Sequence, residues 1–467
     1  MKTVLTAIAA LLFSSLSWAA ATITIVNGDP PGVGFNDAAP AVPVGGNTGT
    51  TLGAQRLNAF QAAASKWGET LDSSVPIRVL ATWDALPCTD TAAVLGSAGA
   101  LEVFADFPGA PHPNAWYGKA ETNKLIGFDA DPEVPDLRAR FNVNLGQPGC
   151  LTGSPFYLGL DNHHGPNTDL VTVLLHEFAH GLGFQTYTDD ETGELLAGTP
   201  SIWDYFLLDT TTGKVWKDMT DAERAASAVK SGKLVWNGVQ VSNAARIVLQ
   251  PGTPILTVLA PPDVAGVYQI GTASFGPPLA SPGLTGEVMP VVDTPPDLGL
   301  ACAPLSPLNA RAVRGKIALL DRGGCTFIIK ARHVQDAGAI GIIVADNVPG
   351  APPPDLGGSD PAIVIPVVRI TREDGQALKS AIAQRTRTRS GLYANLGVNL
   401  AVRAGTDPLG RVLMYAPRPN QPGSSVSHYD TSARPNQLME PAINGDLRHE
   451  VKPPDDLTYP LLKDIGW

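Results

Sequence analysis

A chain of 467 residues with 44% hydrophobic side chains is long enough for two or three domains with substantial cores. Its formal net charge of -11, with no strongly basic segment, excludes nucleic acid as an expected partner and gives an acidic, soluble surface. The 48 glycines and 42 prolines predict many turns and ordered loops, while apolar periodicity in several segments excludes general disorder.

Met1 and Lys2 lead into an apolar run from Val4 to Phe13 and a small-residue site at Ser17-Trp18-Ala19. This is the pattern of an export signal over residues 1–20, cleaved near Ala19 to Ala21. No later run reaches the roughly 18 consecutive apolar residues of a membrane span. The processed protein is therefore expected to be secreted, or periplasmic, with no stable membrane anchor. In residues 54–68, Leu57, Phe60, Ala64 and Trp67 approximate one helical face, and residues 75–83 read as a strand. Cys88, Cys150, Cys302 and Cys325 form an even set, as exported proteins use for disulfides. Three pairings are open, of which Cys88 with Cys150 and Cys302 with Cys325 is the economical one; a cysteine acting as a latency switch on a metal would break it. Asp129, Asp131 and Asp136 lack a calcium-loop motif and read as a solvated acidic turn.

His163 and His164 sit in a loop-like stretch, Gly159-Leu-Asp-Asn-His-His-Gly165, beside the helix that follows. That helix is predicted by an apolar stripe of Val171, Leu174, Leu175, Phe178, Ala179 and Leu182, with Gly183 placed to end it in a left-handed turn. It carries His176-Glu177-Phe178-Ala179-His180. Residues four apart share a helical face, so both imidazoles reach one metal, with Glu177 beside the water that such a metal activates. A catalytic zinc site also needs a third protein ligand and an open position. The stretch resembles the metzincin metalloproteases, whose pattern H-E-x-x-H-x-x-G-x-x-H supplies a third histidine at once. Here that position is Thr186, so the third ligand must come from elsewhere.

Glu191 and Glu194 offer a carboxylate, as in the gluzincins, but lie in a polar, turn-like stretch. Asp204 faintly resembles the ligand of an aspartate-liganded zinc peptidase, and its aromatic neighbours Trp203 and Tyr205 suggest packing instead. His112, His333, His428 and His449 remain. Further on, Thr220-Asp-Ala-Glu223 is a capping box that opens a helix through Val229.

Residues 251–295 are rich in proline and glycine, and a strand-helix alternation begins at Gly315. Strands are predicted over 317–320, 339–345 and 363–370, with helices over 328–336 and 374–382. The run Gly315-Lys-Ile-Ala-Leu-Leu-Asp-Arg-Gly-Gly-Cys-Thr-Phe327, an A-G-A-x-G-x-I-V strand and an I-P-V-V-x-I strand resemble the protease-associated (PA) domain. That resemblance covers roughly residues 255–390 and implies an inserted module that influences substrate access and supplies no catalytic residue. Arg385-Thr-Arg-Thr-Arg389 reads as a solvated edge strand.

Beyond it come Ser424-Ser-Val-Ser-His428-Tyr-Asp430 and Gln437-Leu-Met439-Glu-Pro441, and the chain closes with a short helix before Gly466. His428 and Met439 resemble the leishmanolysin-like branch of the metzincins, in which a long insertion separates the helix from the third histidine and a methionine turn. The resemblance implies an α+β fold: a two-lobed zincin/metzincin-like catalytic domain, residues 21–250 and 391–467, interrupted by an α/β PA domain, residues 251–390. It implies zinc held by His176, His180 and His428, with Glu177 as general base in an endopeptidase acting on proteins or peptides. No tyrosine closely follows Met439, which leaves Tyr429 as the candidate oxyanion donor. The competing reading is a degenerate peptidase fold that captures protein or peptide through its PA domain.

Overall fold

The structure is a computed structural model that describes residues 20–293 and 299–467. The expected export signal lies outside the described residues except for Ala20, which bridges to Asp72. No described helix is long and apolar enough to cross a membrane.

The N-terminal part is built on a four-stranded sheet. β1 (Ile23–Asn27), β2 (Ile77–Asp84), β3 (Gly96–Ala100) and β4 (Leu137–Asn142) lie in the order β1-β2-β4-β3. The first three in that order are parallel, and β3 runs antiparallel at the edge. Ile77, Val79, Ala81 and Trp83 alternate inward along β2, as a half-buried strand requires. Helix α1 (Leu52–Thr70) crosses between β1 and β2, its first turn capped by the Thr51 hydroxyl, which accepts from the Ala54 N–H. Its buried stripe runs through Gln55, Ala59, Phe60, Ala63, Ala64 and Trp67, so Leu57, expected on that face, is only half-buried.

The acidic segment before β4 differs from the solvated turn expected there. Asp136 is buried and accepts from the Arg78 N–H and from Asn123 Nδ2. Lys119, at the start of α2 (Lys119–Ile126), is fully buried and donates to the Asp131 and Val134 carbonyls and to the Glu102 carboxylate. A lysine ammonium therefore occupies the position among these oxygens that a bound cation would take. Helix α3 (Leu170–Gly181) is buried along its whole length against α1 and the sheet, and the Trp67 indole N–H donates to its Leu175 carbonyl at 3.1 Å. The Thr220–Glu223 capping box opens α4 (Asp221–Ser227), which stops short of Val229, and α5 (Val239–Val248) follows.

The chain then leaves for a second sheet. Its strands are β5 (Pro251–Ala260), β6 (Gly266–Tyr268), β7 (Gly271–Thr272), β8 (Leu284–Pro290), β9 (Ile317–Asp321), β10 (Gly341–Ala345), β11 (Val367–Ile370) and β12 (Tyr393–Arg403). They are ordered β6-β5-β12-β8-β9-β10-β11-β7, with β8 to β11 parallel. Helices α6 (Pro307–Val313), α7 (Phe327–Asp336) and α8 (Arg372–Ala381) connect them. The proline-rich start conceals β5. Pro251 and Pro254 lie outside the stretch from Leu256 to Val258 that is paired on both sides, so their missing N–H groups interrupt no second ladder. β12 carries this sheet to Arg403, past residue 390. Arg385 to Arg389 is a solvated turn rather than an edge strand: the Thr386 N–H closes on the Arg389 carbonyl, and the N–H groups of Ser390 and Gly391 donate to Glu287. Disulfides join Cys88 to Cys150 and Cys302 to Cys325.

After β12 the chain rejoins the first part, where the Trp236 N–H donates to the Val412 carbonyl. Most buried apolar side chains from residues 21–249 and 412–467 form one core cluster, with Leu208, Val235 and Leu413 in a small one of their own. Those between residues 256 and 396 form two clusters of their own, one on each face of the second sheet. Helix α9 (Thr458–Ile465) closes the fold, and the Trp467 indole N–H donates to the Leu182 carbonyl at the end of α3.

Because β12 pairs with both β5 and β8, a fragment of residues 251–403 made under oxidising conditions is expected to fold with Cys302 and Cys325 bridged. A fragment ending at residue 390 should lose amide dispersion in its NMR spectrum. Equal dispersion in both would show that β12 is not part of the folding unit.

Candidate metal centre

Helix α3 begins at Asp169, whose Oδ1 accepts from the Thr172 N–H at 2.7 Å. Two turns later it presents His176 and His180, and Gly183, at φ +116°, then takes the chain out of the helix. That turn brings the Phe184 carbonyl back to His180 Nδ1 at 2.7 Å. His176 Nδ1 meets the Leu438 carbonyl at 2.7 Å, and His428 Nδ1 meets the Ser424 carbonyl at 2.7 Å. A carbonyl only accepts, so each Nδ1 carries the proton and each Nε2 turns a lone pair inward.

The three Nε2 atoms converge from residues far apart in sequence. His176 and His180 are 3.2 Å apart, His176 and His428 3.2 Å, and His180 and His428 3.3 Å. Two ligands of a tetrahedral zinc with Zn–N of about 2.0–2.1 Å lie about 3.3–3.4 Å from each other, so the triangle fits that ion. All three rings are buried. Burial pushes the imidazoles towards neutrality, His176 down to about 4, His180 down to about 3 with His176 adding to the effect, and His428 well below the ordinary range. Three neutral imidazoles with facing lone pairs are a donor set suited to zinc or a similar divalent metal.

Glu177 is buried beside them, its carboxyl pushed up to about 8 by burial and drawn back by a hydrogen bond to the Ala98 backbone. Ala98 belongs to β3, whose backbone passes close: a Cβ added at Gly96 would lie 3.0 Å from Glu177 Cγ. Gly96 therefore makes room for the glutamate. A cation among the imidazoles acts on this carboxyl in the opposite direction to burial and favours its ionised form. The triad and Glu177 open on a cleft of about 1090 Å³, walled by β3, the cleft-facing side of α3 and segments around Ser425 and Ala442.

The other sequence candidates fall elsewhere. Thr186, standing where the third histidine of the common pattern would be, donates to Asp204 Oδ1 at 2.9 Å. Asp204 also accepts from Thr188 and from the Ser201 N–H, which makes it a buried structural carboxylate rather than a ligand. Glu191 and Glu194 are exposed. His163 is exposed beside Asp161, and His164 lines the cleft. His449 Nε2 bonds Asp169 Oδ1 at 2.8 Å and so braces the start of α3. Tyr429 is no oxyanion donor: its buried hydroxyl donates to the Leu457 carbonyl at 2.9 Å. Met439 is fully buried, next to the Leu438 carbonyl that orients His176. Gly96 and Ala98 carry no signal in the sequence, since Gly-Ser-Ala-Gly-Ala has no apolar alternation to mark it as a strand. Asp190 and Glu440 are two further acids of the cleft wall, with no motif around them to single them out.

Residues 284–378 match the family model of the PA domain, and the chain carries that domain as an insertion. Vacuolar-sorting receptor 2 of Arabidopsis thaliana is 33% identical over 142 residues, 27% of this chain and 22% of that protein. The minor extracellular protease Vpr of Bacillus subtilis (strain 168) is 31% identical over 121 residues, 25% of this chain and 14% of that protein. Leucine aminopeptidase 2 of Trichophyton equinum is 44% identical over 70 residues, 15% of this chain and 14% of that protein. The chain thus spans less than a quarter of the length of these relatives. BSAP, a zinc aminopeptidase from Bacillus subtilis, has a solved structure with 23% identity and a TM-score of 0.24, covering 34% of this chain and 36% of that chain. That likeness is too slight to bear on the fold or the site.

His428→Ala is expected to abolish stoichiometric metal binding, read by elemental analysis of the dialysed protein, because two imidazoles make an incomplete site. His449→Ala should retain the metal. Loss in the second variant and retention in the first would move the third ligand.

Proposed function

We propose that the protein is an exported zinc-dependent endopeptidase with a leishmanolysin-like arrangement of ligands, His176 and His180 on one helix and His428 beyond the PA domain. The observation that carries this reading is the convergence of the three Nε2 atoms within 3.3 Å, beside a buried glutamate that lines the same cleft. A zinc ion held there supplies Lewis acidity toward a scissile carbonyl and lowers the pKa of water to near neutrality.

The chain's own groups do the rest. Glu177 takes the proton of the attacking water at its carboxylate and returns it to the leaving amine. Gly96 leaves the room that the Glu177 side chain occupies, and the hydrogen bond to the Ala98 backbone holds the carboxylate in one place. The three backbone carbonyls fix the ring orientations and keep the Nδ1 protons away from the site. β3 is an edge strand along the cleft, and such an edge offers main-chain hydrogen bonds to an extended peptide, which favours cleavage within a chain over removal of a terminal residue. Disulfides at Cys88–Cys150 and Cys302–Cys325 suit an oxidising, extracytoplasmic compartment.

Digestion of casein that is lost in chelator and restored by zinc is the direct test. Glu177→Gln should keep the metal and the fold while hydrolysis falls by about 10²–10⁴-fold. Normal turnover by this variant would refute the assignment of the base. Metal binding without cleavage of any peptide in a broad library would favour capture of peptide over hydrolysis.

A further inference from the structure

Asp169, which caps α3, and Thr172, Val173, His176, Glu177 and His180 of the helix itself face the cleft. Asp169 caps the helix seven residues before His176, about 10 Å away along the axis, and both line the same cleft. Its side chain is 3% exposed. Oδ1 accepts from the Thr172 N–H and from His449 Nε2, whereas Oδ2 is buried with no partner among the described residues. Capping the helix needs one oxygen, which serine or asparagine would supply as well, so the cap does not account for the second. An unpartnered buried carboxylate oxygen is costly, which points to a donor brought from outside. Among the described residues no lysine or arginine pairs with Asp169, and its one ion-pair partner, His449, sits on the other oxygen.

We propose that Asp169 closes a specificity subsite that takes the lysine or arginine side chain of a substrate residue flanking the scissile bond, an inference that rests on the peptidase reading above. Thr172, Val173 and Leu447 line the approach and contact the aliphatic stem. The charged head then makes a charge-assisted hydrogen bond to Oδ2. A span of about 10 Å corresponds to one peptide unit of about 3.8 Å plus a long side chain, so short side chains stop before the carboxylate.

Matched fluorogenic peptides bearing lysine, arginine, norleucine, alanine or glutamate at a position flanking the cleaved bond test this on the full, zinc-loaded chain. Lysine and arginine are expected to exceed norleucine about 10- to 100-fold in kcat/KM at one such position. Asp169→Asn keeps an N-cap of equal quality and removes the charge, so the lysine-to-norleucine ratio should fall towards one. The Glu177→Gln protein supplies a readout without turnover: by calorimetry it should bind the lysine peptide about tenfold or more tightly than the norleucine peptide. A ratio near one in the wild type, or a ratio that Asp169→Asn leaves unchanged, overturns the subsite and leaves the peptidase reading standing. Equal calorimetric affinities overturn it as well, whether or not Asp169→Asn folds. Failure of the wild type to cleave any peptide overturns the peptidase reading and the subsite with it.

Discussion

Three imidazole lone pairs facing one another across 3.3 Å or less, in a buried place, are the constraint on which the rest of the site depends. Lone pairs at that separation gain nothing from each other and call for a cation between them. The fold keeps them there with three hydrogen bonds from Nδ1 to the carbonyls of Leu438, Phe184 and Ser424. Each carbonyl comes from irregular backbone, so each loop has a definite job. The turn at Gly183 serves His180, the residues before Met439 serve His176, and the turn before His428 serves that ring itself.

The same economy shapes the ground beside the metal position. Burial that makes the imidazoles neutral also raises the Glu177 carboxyl, and a divalent ion reverses the second effect while using the first. Gly96 and Ala98 on β3 set how near the wall may come to that carboxyl. The strand therefore has two roles that require little side chain: it leaves space for the base and it borders the cleft.

The helix and its two histidines were legible in the sequence because apolar period and ligand spacing coincide there. His428 was not legible from spacing, since 248 residues separate it from His180; only its resemblance to a known ligand and methionine pair set it apart from His449. Tyr429 was misread for a related reason. A tyrosine beside a ligand looks available in sequence, and only the packing shows its hydroxyl committed to Leu457. β3 carries too few apolar side chains to announce itself, and β5 is hidden by prolines whose harmlessness depends on which ladder they face. Asp136 looked solvated among other acids until the buried Lys119 explained that neighbourhood. Period and local chemistry can be read from a sequence, whereas edge position and burial belong to the assembled sheet.

The antiparallel pairing of β5 with β12 has a consequence for how the chain closes on its own site. Gly252 stands opposite Arg403, and the Gln250 N–H donates to the Arg434 carbonyl, so the insertion departs and returns at one junction. Once that ribbon is formed, the loop that His428 must close on His180 is no longer the full contour of the chain. It shrinks to about 100 residues, which lowers the closure entropy by about 0.8 kcal/mol on a logarithmic law. On the same law, the length of the insertion has little weight in the free energy of assembling the triad. A whole domain can stand between the second and third histidines because, to the polymer that must bring them together, the ribbon is a short circuit.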